Sequence, residues 1–248
     1  ACISPGARNS ALTYTLINNK NIKCFSNIDE RSSGFFALGI AKASKQPVVI
    51  VCTSGTAVSN FFPAVIEASL SSVPILVLSA DRPKRMIGTG ANQTIDQNQI
   101  FGKYVRFFKD IGLPKKEFSK LEKKLKEAIS HLKGIHFNNP PGPVHINVPF
   151  EEPLLSKNKI LHQHSSFNII KDNPIKKNIY EVLSSVKKPL FIAGPNSDNG
   201  IQNNLILLAE KMNAPILADP LSQIRYGYDS DNIIFYYDIF IKKINFNP

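Results

Sequence analysis

Two runs of the chain are apolar without interruption, Val48-Val49-Ile50-Val51-Cys52 and Ile75-Leu76-Val77-Leu78. A strand wetted on one side alternates apolar with polar residues, so an unbroken run marks a strand covered on both faces, at the centre of a parallel sheet. Strand-like and helix-like patterns alternate around these runs from the first residue onward. Strands are expected near 1–4, 22–26, 47–52, 74–79, 104–109 and 144–148, and helices near 9–19, 31–44, 57–71, 94–101 and 117–134. That alternation predicts a doubly wound α/β fold, a parallel sheet with helices on both faces.

Beyond Pro149 the pattern weakens. Residues 154–174, with His162-Gln163-His164 and Asp172-Asn173-Pro174, are polar and read as a linker. A second α/β unit follows, with helices near 176–186, 200–212 and 236–243 and strands near 189–194 and 214–218, too few strands to complete a sheet. The expected organisation is a first domain over 1–153, a linker over 154–174 and a partial Rossmann-like unit over 175–248. The chain opens on Ala1-Cys2-Ile3-Ser4 as though inside a strand, and is read as a piece of a longer polypeptide.

Composition narrows the partners. The longest apolar runs fall far short of the roughly 20 residues of a membrane helix, and no signal peptide is visible. Cys2, Cys24 and Cys52 are odd in number, form no C-x-x-C pair and lie in apolar segments, as expected of reduced core cysteines in a cytosol-like compartment. The formal charge is +11, but its densest stretch, Lys115 to Lys133, interleaves Glu117, Glu122 and Glu127 and sets Leu121, Leu125, Ile129 and Leu132 at helical spacing. This is an amphipathic helix with a solvated lysine face, not a nucleic-acid surface. The basic field instead favours small anionic substrates.

Ligands of open α/β sheets sit beyond the carboxyl ends of the strands, so the strand-end loops hold the candidate chemistry. Ser4-Pro5-Gly6-Ala7-Arg8 opens a helix and could meet an anion through its backbone and Arg8, or be a turn with Asn9 or Ser10 as cap. Glu30 also opens a helix, where the helix dipole alone accounts for an acid; the functional alternative is a carboxylate facing a ligand nitrogen. Thr53-Ser54-Gly55-Thr56 lacks the lysine and spacing of a P-loop, and Gly88-Thr89-Gly90-Ala91-Asn92-Gln93 is no dinucleotide fingerprint. The histidines have no metal-ligand spacing, and His145, inside an apolar strand, reads as a hydrogen-bonded core residue.

Taken in order, Ser4-Pro5-Gly6-x-Arg8, Asp29-Glu30-Arg31, Thr53-Ser54-Gly55-Thr56-Ala57, Ser79-Ala80-Asp81-Arg82-Pro83, Gly90-Ala91-Asn92-Gln93 and Gly142-Pro143-Val144-His145-Ile146-Asn147 resemble one family. It is that of the 2-succinyl-5-enolpyruvyl-6-hydroxy-3-cyclohexene-1-carboxylate synthases, thiamine-diphosphate transferases of menaquinone synthesis. The resemblance implies a pyrimidine-binding domain, here without its N-terminal helix, followed by part of the middle domain. It also implies a later domain, outside this chain, that holds the diphosphate and Mg2+. The implied reaction is decarboxylation of 2-oxoglutarate and addition of the succinyl unit to isochorismate with release of CO2, in a cytoplasmic homodimer or higher oligomer. By motif, Glu30 is the catalytic residue against the aminopyrimidine; Thr53, Ser54 and Gly55 line the cofactor; Arg8, Arg82, Asn92 and Gln93 take the substrate. Both substrates are dicarboxylates, which suits the planar fork of arginine. Ala7 departs from the family's usual serine. The alternatives are another thiamine-diphosphate carboligase, of the acetolactate-synthase type, and a non-catalytic remnant.

Overall fold

The computed structural model describes residues 1–113, 118–135, 140–155, 182–183, 185–195 and 200–242. It divides into two compact units, 1–173 and 174–248. The expected linker and the helix near 176–186 fall mostly outside the described residues.

The first unit is built on six parallel strands: β1 (Cys2–Ile3), β2 (Phe25–Ser26), β3 (Val48–Cys52), β4 (Ile75–Asp81), β5 (Phe107–Asp110) and β6 (Val144–Pro149). Their order is β2-β1-β3-β4-β6-β5, every pair parallel. The two continuous apolar runs are therefore the central strands β3 and β4, as their patterning requires. Alternation along β4 separates two cores. Ile75 and Val77 join Ile50, Ala37, Phe61 and Val65 beneath helices α2 (Glu30–Ser44), α3 (Thr56–Asn60) and α4 (Phe62–Leu70). Leu76 and Leu78 turn the other way, toward Leu12 of α1 (Ser10–Ile17) and Ala128 and Leu132 of α5 (Phe118–Lys133).

The chain leaves β1 for β2 on one side and returns to β3 on the other, so β1 and β3 flank a topological switch point where a crevice opens. The loops there touch: a Cβ on Gly6 would lie 2.5 Å from Thr53 Cβ, so only glycine fits. Helices α2 and α4 also approach closely, since a Cβ on Gly34 would fall 2.8 Å from that of Ala64. At the opposite end of the sheet Arg106 acts as a clasp. Its Nη1 donates to Ser69 Oγ (2.9 Å), Nη2 to the Ser69 carbonyl (2.7 Å) and Nε to the Pro140 carbonyl (3.3 Å), while its backbone N–H meets the Pro143 carbonyl (2.7 Å).

Two expectations are corrected. The helix near 57–71 is two helices, broken at Phe61, because Pro63 has no N–H to continue the ladder and the fully buried Phe61 ring is turned into the core. The helix near 94–101 is absent. Gln93, Gln99 and Gly102 adopt left-handed φ of 56°, 51° and 50°, the Asp96 side chain takes the Asn98 N–H (3.0 Å), and a short 3-10 turn, Gly102–Tyr104, follows. Local side-chain bonding there replaces the helical ladder.

The second unit carries a parallel sheet ordered β7-β8-β9, from β7 (Phe191–Ala193), β8 (Ile216–Ala218) and β9 (Ile233–Ile234). Helix α6 (Ile201–Lys211) lays Ile206 and Ala209 on it, and α7 (Tyr237–Ile241) follows β9. The two-residue β9 is a strand the sequence reading missed, being too short to show a period.

Candidate active site

The strand-end loops meet as the sheet order dictates. Asp29 caps α2, its carboxylate accepting the Ser32 N–H at 2.7 Å, and that bond lowers its pKa. With Asp29 in the capping role, Glu30 is left over for other work. Its half-buried carboxylate stands at the α2 N-terminus and accepts from Asn60 Nδ2 through Oε2 at 3.1 Å. Among the described residues no hydrogen bond reaches Oε1. Beneath it lies the fully buried Cys52, whose thiol is pushed well up by burial and then by the charge of Glu30.

A second cluster gathers three of the expected site residues. Arg82 Nη1 donates to Ser54 Oγ in a short bond and to the Gln93 carbonyl at 3.2 Å. Ser54 Oγ also donates to that carbonyl (3.0 Å), and Gln93 Nε2 returns a bond to the Ser54 carbonyl (3.1 Å). Gly55 has φ of 85°, and a Cβ there would meet Gln93 Cγ at 2.9 Å, so both backbone and neighbour demand glycine. Burial and then the charge of Arg8 lower the Arg82 guanidinium below its ordinary value, which marks the two arginines as electrostatic neighbours. Arg8 itself is nearly buried, donating to the Phe150 carbonyl (3.2 Å) and, at 3.5 Å, to Glu152. Thr53 packs on Gly6 and Asn92 stands exposed, its carbonyl taking the Thr94 hydroxyl. Glu30 and the Arg82 cluster share no hydrogen bond among the described residues.

Below the cluster runs a buried polar chain that the sequence reading did not contain. Gln97 accepts the Gly55 N–H through Oε1 (2.9 Å) and donates through Nε2 to the Ala80 carbonyl (3.2 Å) and Asn147 Oδ1 (2.8 Å). Asn147 Nδ2 donates in turn to Asp81 (2.8 Å) and Asp110 (2.9 Å). Ser79 Oγ donates to Asn147 Oδ1 (2.8 Å); its one proton thus committed, it accepts from His145 Nε2 (2.7 Å), which fixes the Nε2–H tautomer. Burial holds His145 neutral, with a pKa of about 3, between the Phe101 and Phe108 rings, in agreement with the core-histidine reading. Burial also raises the Asp81 carboxyl, against the bonds from Asn147 and the Arg82 N–H, and Asp110 adds to the rise. Asn60 and Gln97 gave no sequence signal because their partners lie 30 and 17 to 50 residues away, and Asn147, though it closes the Gly142–Asn147 motif, meets partners 37 to 68 residues away that the motif does not name. Among the described residues no group of three or more His, Cys, Asp or Glu is placed to hold a metal, and no helix is long and apolar enough to cross a membrane.

A parallel sheet with a carboxylate and a Thr-Ser-Gly turn beside its switch point defines a class. Residues 1–100 match the family described as thiamine pyrophosphate enzyme, N-terminal TPP binding domain, and belong to it. The fold agrees: a thiamine diphosphate-dependent 4-hydroxybenzoylformate decarboxylase of Rhodococcus jostii RHA1 superposes with a TM-score of 0.63 at 18% identity, over 88% of this chain and 41% of that one. Within the class, the chain is a relative of the 2-succinyl-5-enolpyruvyl-6-hydroxy-3-cyclohexene-1-carboxylate synthases along nearly its whole length. It is 40% identical to the synthase of Listeria innocua over 98% of this chain, 37% to that of Geobacillus kaustophilus over 98%, and 39% to that of Chlorobium phaeobacteroides over 90%. The chain spans 44%, 44% and 41% of those proteins, less than half of each.

Proposed function

We propose that this chain carries the pyrimidine-binding domain and part of the middle domain of a thiamine-diphosphate transferase that decarboxylates 2-oxoglutarate and joins the succinyl unit to isochorismate, in menaquinone synthesis. The observation that carries the reading is the Arg82–Ser54–Gln93 cluster, set beside the switch point with Arg8 within electrostatic reach. Two neighbouring arginines suit a dicarboxylate, since each guanidinium offers a planar fork to one carboxylate.

The residues fit the cofactor. Asn60 holds Oε2 of Glu30, and Oε1 remains as an acceptor for a protonated nitrogen of the aminopyrimidine ring. Thiamine diphosphate, when bound, supplies the electron sink that loss of CO2 from a 2-oxo acid requires. Glu30 then orients the ring and biases its protonation, the Thr53-Ser54-Gly55 turn lines the cofactor's flank, and Arg8, Arg82, Asn92 and Gln93 receive the substrates. The diphosphate and its Mg2+ fall to a further domain of the longer protein, and the working form is a homodimer or higher homo-oligomer in the cytoplasm. The three free thiols are in keeping with that compartment.

The test is a chimera in which this chain replaces its homologous region in the Listeria innocua synthase. Arg82→Ala is expected to cut isochorismate-dependent turnover by about a hundredfold, the scale of one lost charged bidentate contact. Undiminished turnover would overturn the substrate assignment and return the choice to a carboligase of the acetolactate-synthase type.

A further inference from the structure

Gln97 is fully buried, and both ends of its amide are used. It lies on the irregular segment that also carries Asn92 and Gln93, where sequence periodicity predicts a helix. Three anchors converge on it: the Gly55 N–H from the β3–α3 turn, the Ala80 carbonyl of β4 and Asn147 Oδ1 of β6. Gly55 in turn has Gln93 packed where its side chain would be, Cγ at 2.9 Å from the position of a Cβ. A displacement of Gly55 therefore moves Gln93, and with it the carbonyl that Arg82 and Ser54 share.

We infer that Gln97 is a positioning residue: through its three bonds to Gly55, Ala80 and Asn147 it seats the 92–97 segment on the strand ends and so assembles the Ser54–Arg82–Gln93 cluster before any ligand arrives. The inference rests on the proposed function only for the use the cluster serves, because the assembly itself is read without substrate. No other side chain type of this size replaces it. Methionine fills the volume but satisfies none of the three groups, and glutamate keeps the Gly55 bond while setting a carboxylate against two acceptor oxygens. Either change leaves buried polar groups unpaired, the costly side of hydrogen-bond energetics.

The test uses the isolated 248-residue chain and NMR, with no cofactor or substrate. In the unmodified chain the Gly55 amide exchanges with solvent as slowly as the β3 amides of Ile50 and Val51, and the Gln93 side-chain amide and Arg82 guanidinium protons give resolved, shifted signals. In Gln97→Met, Gly55 exchange rises by roughly tenfold or more, and the Gln93 and Arg82 signals collapse toward free-chain positions while Ile50 and Val51 stay protected. In Gln97→Glu, Gly55 keeps its protection but the Gln93 and Arg82 signals still shift, because the β4 and β6 anchors are lost. If Gly55 exchanges freely in the unmodified chain, the bond is absent and the inference is overturned; this reading stands even where a variant fails to fold. If Gly55 is released in Gln97→Met but Gln93 and Arg82 do not move, Gln97 is merely structural and the inference is likewise overturned. Failure of the substrate assignment in the chimera would leave all of these readouts unchanged.

Discussion

Asn60 donates to one carboxylate oxygen of Glu30, and among the described residues no hydrogen bond reaches the other, so a side chain thirty residues away decides which oxygen of the catalytic candidate is free. The two arrive from different helices, α3 and α2, and their meeting depends on how those helices pack. Asn60→Ala removes the only described restraint on the carboxylate. In the chimera its kcat is expected to fall by about tenfold, whereas Glu30→Gln, which abolishes the acceptor charge, costs about 10²- to 10⁴-fold. Equal turnover in Asn60→Ala and the unmodified enzyme would show that Glu30 orients itself.

One helical turn further along each side, Gly34 of α2 meets Ala64 of α4. Gly34→Ala brings two methyl groups to 2.8 Å and is expected to destabilise the first unit by about 1–3 kcal/mol in urea unfolding, although alanine is the better helix former. Ala64→Gly added to Gly34→Ala restores most of the loss. Should the double variant be no better than the single one, the contact between the helices is not the cause.

His145 predicts a pH dependence. Its folded pKa of about 3 lies below the ordinary 6.5, so the unfolded chain takes up the proton first. The stabilising contribution is complete above about pH 6.5 and is lost as pH falls toward 3, amounting to about 2–3 kcal/mol at pH 4.5. Asp81, whose carboxyl is raised, acts in the opposite sense: its contribution is present at low pH and lost as pH rises through the raised value. The comparison with His145→Gln isolates the histidine. Unfolding followed by far-ultraviolet circular dichroism at pH 7 and 4.5 is expected to show a smaller loss in the variant.

Ala7 stands exposed between Gly6 and Arg8, with only its carbonyl engaged, by the Ser10 N–H at 3.2 Å. The position is exposed, so a hydroxyl there meets solvent. If the family's serine touches substrate, Ala7→Ser in the chimera lowers the KM for isochorismate by about two- to tenfold, the worth of one hydrogen bond of 0.5–1.5 kcal/mol. Stability should not change, and an unaltered KM would place the position outside the substrate's reach.

What the sequence made legible and what it hid separate along physical lines. Val48–Cys52 and Ile75–Leu78 announced the centre of the sheet because burial on both faces writes itself as an unbroken apolar run. Glu30 and Arg82 stand out in the sequence because they belong to strand-end motifs, and Gln93 because it closes the Gly90–Gln93 motif; the structure brings Arg82 and Gln93 into one cluster. The Arg82–Ser54–Gln93 bonds could not be read, since they join loops 11 to 39 residues apart. Residues 94–101 differ for a related reason: their apolar spacing is helical, yet Gln97 is committed to partners in the β3–α3 turn, on β4 and on β6, and tertiary hydrogen bonds override local periodicity.

The Arg106 clasp has a consequence for handling the protein. β5 is an edge strand, and beside it in the sheet runs β6, whose Val144, Ile146 and Val148 are buried against α5. Arg106 fastens the start of β5 to the end of α4 and the turn before β6. Without the clasp β5 can peel away, and β6, still paired with β4 on its other side, is left with one open edge on which a second molecule can template itself. A guanidinium on the edge strand thus bears on colloidal behaviour: loss of the clasp in Arg106→Ala is expected to make the polypeptide precipitate at lower concentration, read by light scattering.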